Sequence, residues 1–215
     1  AAQHVKVRTF GRWDINARIV AEAPRLGMGA TGHCAHELPL VAAGMDSKEH
    51  VGNRCGERLN APLHEDVVSV LRASGAAVVP TSMLDSWQEM WIADSGFLRR
   101  PDVAPFTVEI KRNAKPFVAQ DTAYWLGEQG RVILQQVRAL HDAGVPLGVG
   151  CDAPMLPWGP HLELERLVQA GLSPLEAIRA GTLESMRIAG HDAELGSVAV
   201  GKLADLLILE PGAEP

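Results

Sequence analysis

No run of lysine and arginine occurs anywhere in this 215-residue sequence, and its formal net charge is -6. That argues against a dedicated nucleic-acid binder, which would carry a basic face. No apolar stretch reaches the roughly 18 to 20 residues needed to span a bilayer, so no membrane partner is expected. Cysteine is scarce. Cys34, Cys55 and Cys151 are an odd number at irregular spacing, which fits neither a disulfide framework nor a CxxC zinc site. Reduced thiols in a cytoplasmic protein are the expectation. The N-terminal residues Ala1-Ala2-Gln3-His4-Val5-Lys6 lack the layout of a signal peptide. They run straight into a strand-like segment, so an upstream part of the natural protein is expected. Internal repeats and low-complexity tracts are also missing.

What is present is an ordinary globular composition, with 47% hydrophobic and 21% charged residues. The length suits one domain with room for an appendage. Short apolar runs alternate with amphipathic segments. Val5-Lys6-Val7 reads as extended. Asp14 is placed to cap a helix through about Leu26, with Ile15, Ile19 and Val20 on one face and Pro24 bending or ending it. A strand over 27–32 ends at His33. A helix over 37–43 is closed by Gly44, and a short strand spans 46–50. Further on come a helix over 64–73, an apolar strand over 76–80 and a long helix over 121–143 with Val132, Leu134, Val137 and Leu140 inward. A strand over 146–150 ends at Cys151-Asp152, and two helices cover about 161–170 and 174–189. Ser173-Pro174 supplies an N-cap followed by proline at the first helical position.

This order, β-α-β-α-β-α-β-α, predicts an α/β fold with a parallel sheet and covering helices. Residues 82–118 break the rhythm and read as a long loop holding Trp87, Trp91 and Arg99-Arg100. Such loops are often lids or binding loops. The segments 196–200 and 205–209 read as two strands around a Gly201-Lys202 turn, outside the sheet.

Four residues lie at or near the C-terminal ends of predicted strands: Lys6, His33, His50 and Asp152. In a parallel barrel all strand C-termini point to one face, so these side chains converge. Two histidines and a carboxylate form a plausible zinc set. Lysine joins only if its charge is removed, as in a carbamate. A lone histidine is more often a surface or hydrogen-bonded residue, and that reading is kept for His64, His141, His161 and His191, which lie in or beside helices. His33 and His50 differ because each follows a short strand. Asp152 follows an apolar strand, where a carboxylate is costly to bury unless paired or metal-bound. Lys6 also reads as an ordinary edge-strand lysine.

At these motifs the chain resembles the amidohydrolase superfamily, in its imidazolonepropionase- and Xaa-Pro-dipeptidase-like branch. Gly148-Val149-Gly150-Cys151-Asp152-Ala153-Pro154 is similar to the family's strand-8 segment, and Gly171-Leu172-Ser173-Pro174-Leu175-Glu176-Ala177 to the following helix. Leu195-Gly196-Ser197-Val198 with Gly201-Lys202-Leu203-Ala204-Asp205-Leu206 is similar to its closing signature. Thr31-Gly32-His33, Asp46-Ser47-Lys48-Glu49-His50 and His4-Val5-Lys6-Val7 are similar to strands 5, 6 and 4.

The resemblance implies the C-terminal part of a TIM (β/α)8 barrel, about strands 4–8, over residues 1–190, followed by β-sandwich strands over 191–215. It implies that His33, His50 and carboxylated Lys6 serve one Zn2+, with Asp152 as ligand of a second and as the catalytic proton shuttle. The family's strand-1 His-x-His pair does not occur here, and His33 and His36 do not replace it. The expected function is hydrolysis of an amide or related acyl bond, in a dipeptide, N-acyl amino acid or similar small molecule, by hydroxide formed on the metal. Arg99, Arg100 and Arg112 are candidates to bind a substrate carboxylate through a bidentate fork. Two alternatives stand beside this reading. One is a non-catalytic, truncated or split piece that pairs with an N-terminal half or another chain, since a half-barrel exposes apolar edges. The other is a deaminase acting on a cyclic amidine. A homo-oligomer is expected.

Overall fold

Alternating side chains decide how each strand sits. In β1 (His4–Val7), Val7 is buried against helices while Lys6 points the other way and is exposed. Successive residues of a strand face opposite sides of a sheet, so this parity is fixed by the backbone. The computed structural model describes residues 3–8, 12–33, 37–51, 63–83, 101, 104, 120–152 and 158–210. It contains β1, β2 (Gly29–His33), β3 (Ser47–Glu49) and β4 (Ala77–Val79), all parallel and in the order β1-β2-β3-β4. The register pairs Lys6 with Thr31, Thr31 with Ser47 and Ser47 with Ala77. These residues therefore share one face.

The strand expected over 146–150 is reduced to a single parallel bridge between Val78 and Leu147. Val78 N donates to Pro146 O at 2.8 Å and Gly148 N donates to Val78 O at 2.9 Å. Pro146 has no N–H of its own to extend the ladder. Leu147 still occupies the fifth position of the sheet.

Helices flank the sheet, most of them on the other face, while Ser185, Ile188 and Ala189 of the last one lie on the Lys6 side. The helices are α1 (Trp13–Glu22), α2 (Glu37–Ala42), α3 (Glu65–Ser74), α4 (Gln120–Asp142), α5 (Gly159–Gln169), α6 (Pro174–Arg179) and α7 (Ser185–Ala189), with a π-helical stretch, Ala180–Glu184, joining the last two. The single long helix expected over 174–189 is thus three pieces. The expected cap of α6 is present: Ser173 Oγ accepts from Glu176 N at 3.3 Å, and Ser173 N donates to Glu176 Oε2 at 2.8 Å. This reciprocal arrangement satisfies two otherwise orphaned donors.

The first helix departs from expectation in two ways. Its N-cap is Arg12, which makes no side-chain cap bond, and Asp14 instead accepts from that arginine. Pro24 turns the last four residues, Ala23–Leu26, into a 3-10 segment. Of the predicted face, only Val20 is buried; Ile15 and Ile19 are exposed.

The core lies between sheet and helices. Val7, Ala30, Val78 and Leu147 meet Leu40, Leu71, Ile133, Val137 and Leu140. Each such aliphatic side chain contributes about 1.5–3 kcal/mol by leaving water. Gly32 belongs to this layer, because a Cβ there would lie 2.2 Å from Met45 Sδ.

The C-terminal expectation differs most. The two strands expected at 196–200 and 205–209 form no ladder among the described residues, and Val198, Val200, Leu207 and Ile208 face solvent. A strand exists only where a neighbouring backbone supplies hydrogen bonds, and among the described residues none lies alongside. Trp87, Trp91, Arg99, Arg100, Arg112, Cys34, His36 and Cys55 lie outside the described residues, as does the loop reading for most of 82–118. No helix among the described residues is long and apolar enough to cross a membrane.

Candidate functional site

Three parallel strand ends and the segment after the Leu147 bridge build one corner of the molecule. His33 is the last residue of β2, and His50 follows β3 directly. Thr81 lies two residues past β4, and Asp152 follows the Leu147 bridge. Backbone bonds continue beyond the assigned strands: His50 N donates to Val79 O at 2.9 Å and Val51 N to Pro80 O at 3.0 Å. His50, Thr81 and Asp152 have φ of 69°, 49° and 39°. They are the non-glycine residues in the left-handed region among those described. Side chains there carry a steric cost, which the surrounding structure must impose. All three meet at the same corner.

The rings of His33 and His50 stand edge to face with centroids 4.4 Å apart. His50 is fully buried. Its Nδ1 is 2.6 Å from Thr81 Oγ1, and its buried Nε2 has no hydrogen-bond partner among the described residues. That nitrogen is 3.7 Å from Asp152 Oδ2, too far for a hydrogen bond. Burial, reinforced by the neighbouring His33, pushes the His50 pKa down to about 4, against the pull of Asp152. Burial and the charge of Lys6 lower His33 as well. Both imidazoles are therefore neutral at pH 7, the form that offers a lone pair.

Lys6 is near enough for its charge to act on both histidines, but its ammonium pairs with Glu49. Thr31 Oγ1 donates to Glu49 Oε1 at 3.2 Å, and Ser47 Oγ donates to Thr31 Oγ1 at 3.0 Å. This polar interior face borders a cavity of about 420 Å³ lined by Lys6, Thr31, Glu49, Thr81, Cys151 and Asp152 among others. Gly150 keeps the wall close, since a Cβ there would meet Val79 Cγ1 at 2.7 Å. A larger cavity of about 530 Å³ opens at the opposite, N-terminal edge, around His4, Asp46, Arg187 and His191. Chemistry in such folds collects at the C-terminal edge, where the strand ends converge. The smaller cavity is the relevant one.

The structure thus brings His33, His50 and Asp152 together and leaves Lys6 paired with Glu49. Thr81 and Glu49 were missed in the sequence. Both had a positional signal, one following the strand over 76–80 and the other preceding His50.

Whether these residues fit a metal can be judged from their chemistry. Among the described residues, no three His, Cys, Asp or Glu side chains stand close enough to chelate an ion as arranged. Two features nevertheless fit. A buried imidazole nitrogen without a partner is costly, and here it faces a carboxylate. Its 3.7 Å separation from Asp152 Oδ2 is close to the edge of a tetrahedral zinc site, about 3.4 Å for zinc–ligand bonds near 2.1 Å. Nitrogen and carboxylate oxygen are both zinc donors.

The model of the amidohydrolase family matches residues 14–215, and the chain belongs to that family. No curated protein matches it. Among solved structures it is similar to a Xaa-Pro dipeptidase with bound methionine in the active site, at 20% identity and a TM-score of 0.66, over 95% of this chain and 48% of that one. It is similar to a prolidase complexed with N-methylphosphonate-L-proline, at 19% identity and a TM-score of 0.65, over 95% and 47%. It is also similar to the ochratoxinase of A. niger, at 23% identity and a TM-score of 0.65, over 95% and 43%. At these identities the likeness shows a shared fold, consistent with a partial barrel. The chain spans about half the length of those structures.

Proposed function

We propose that this corner is part of a metal-dependent hydrolase site that cleaves an amide or related acyl bond. The observation that carries the reading is the buried His50 Nε2, unpartnered among the described residues and facing Asp152, in a chain of the amidohydrolase family. His33, His50 and Asp152 would hold Zn2+, which when bound supplies Lewis acidity toward a water and a carbonyl oxygen. Thr81 orients His50 from behind. Asp152 is the proton carrier: half-exposed at the cavity, it takes a proton from the attacking water and returns it to the leaving amine. Cleavage then consumes one water and gives a carboxylate and an amine.

Lys6 enters the metal set only as a carbamate, and its ion pair with Glu49 must open first. The Xaa-Pro dipeptidase and prolidase likenesses make dipeptides with C-terminal proline the first substrates to test, followed by N-acyl amino acids. Because the chain spans about half of those structures, whole-site activity is part of this proposal. So is completion of the site by polypeptide beyond these 215 residues.

Elemental analysis beside an amide-hydrolysis assay tests the reading. The complete protein should hold zinc, His50→Ala should lose most of it, and Asp152→Asn should lose activity by about 100-fold or more. Full zinc content and full activity in both variants would sink the assignment.

A further inference from the structure

His50 is set by a chain of contacts that begins 113 positions away in sequence, at Glu163 on α5. Glu163 is fully buried. Its Oε1 accepts from Ser82 N at 2.9 Å; its Oε2 accepts from Ser82 Oγ at 2.8 Å and from Met83 N at 2.9 Å. These three donors belong to the turn that directly follows Thr81. Thr81, Ser82 and Met83 are themselves buried. Arg166, one helical turn from Glu163 and also buried, adds a favourable charge, while burial pushes the carboxyl pKa up. All three donors to this buried carboxylate come from one turn. What it fixes is a backbone segment.

That segment carries a strained residue. Thr81 has φ of 49°, a conformation a β-branched residue rarely adopts. The turn must be held for Thr81 to stay there, and from there its hydroxyl reaches His50 Nδ1 at 2.6 Å. The opposite nitrogen, Nε2, is buried without a partner among the described residues. A proton on Nε2 would be an unsatisfied buried donor, whereas a proton on Nδ1 is donated to Thr81 Oγ1. We infer that Glu163 is a positioning residue. By clamping the 81–83 turn it makes Thr81 fix His50 as the Nδ1–H tautomer, with the Nε2 lone pair directed at Asp152. The inference rests on the proposed metal site for its purpose, but not for its geometry. Partners that orient a ligating histidine through its other nitrogen change metal affinity by about 10- to 100-fold when lost.

The test has a metal-free arm and a metal arm. Glu163→Gln replaces one acceptor oxygen by an NH2 group that faces an N–H donor, so the clamp fails with little change in volume. In metal-free protein labelled with 15N-histidine, long-range 1H–15N spectra should show His50 as one tautomer, protonated at Nδ1, in the wild type. Glu163→Gln should show both tautomers. Co2+ titration followed by visible absorption should give a Kd weaker by about 10- to 100-fold in the variant. Ser82→Ala, which removes one of the three donors, should move both readouts the same way and less. Unchanged His50 ring shifts in a folded Glu163→Gln protein overturn the inference, even if wild-type Co2+ binding upholds the metal site. Loss of the single tautomer in a protein whose wild type takes no Co2+ upholds the positioning role and sinks the metal reading. If Glu163→Gln does not fold, Thr81→Val decides. A wild-type His50 spectrum in that variant overturns the inference, and a mixture of tautomers supports it.

Discussion

The two faces of one small sheet have opposite chemistry. Toward the helices point Val7, Ala30, Gly32 and Val78; toward the cavity point Lys6, Thr31, Ser47 and Glu49. One residue of shift along a strand separates the two sets. The helix-facing side is held by burial and close packing, which are insensitive to pH and salt. The cavity side is held by hydrogen bonds and a partly exposed ion pair, which add little to stability but place polar groups where a substrate can reach them. The fold is therefore carried by one face and the chemistry by the other. Lys48 is the exception: it faces the helices and is buried, and its ammonium donates to His50 O at 2.9 Å. Even there the polar group braces the site residue.

The comparison predicts unequal effects. Leu140→Ala, on the helix side and almost fully buried, should cost about 2–5 kcal/mol in urea unfolding; a loss below about 1 kcal/mol would mean that the helix layer does not carry the fold. Gly32→Ala forces a methyl into Met45 Sδ and should cost about 1–3 kcal/mol, with the midpoint shifted and the slope unchanged. Lys6→Met, on the cavity side, breaks an ion pair whose lysine is 42% exposed. It should change stability by only about 0–1 kcal/mol, yet on the proposed assignment it lowers the zinc bound per chain. A large stability loss at Lys6 would erase the distinction between the faces.

The smallest effect lies outside both faces, at the α6 cap. Hydrogen bonds from Ser173, side chain then backbone, hold the Glu176 carboxyl below its usual 4.5. A lowered folded-state value means the contribution is complete above pH 4.5 and fades as pH falls through the lowered value. The stability gap between wild type and Ser173→Ala should accordingly narrow on acidification below that pH. A gap that is constant from pH 7 to pH 3 would remove the ionised carboxylate from the cap.

Much of this was legible in the sequence because it depends on neighbours in the chain. The alternation of short apolar runs and amphipathic helices predicted a parallel sheet with helices over it. The position of His33, His50 and Asp152 after short predicted strands placed them at strand ends, which a parallel sheet gathers on one edge. Ser173-Pro174 announced a helix start, since the bonds of a helix cap are local. The errors share a cause. Ile15 and Ile19 satisfy a helical period yet stay exposed, because periodicity says which residues share a face and not whether anything covers it. The strands expected at 196–200 and 205–209 have the right residues but no described neighbour to pair with.

By itself, then, the sequence determined element order, strand-end placement and the donor types of the site, all properties of local backbone geometry and residue chemistry. Only the tertiary structure decided that Lys6 pairs with Glu49, that Thr81 backs His50, and that Glu163 reaches across the chain to hold the turn that follows Thr81. Those contacts join residues 31 to 81 positions apart. Their partners are chosen by packing of the folded sheet against its helices, which no local pattern encodes.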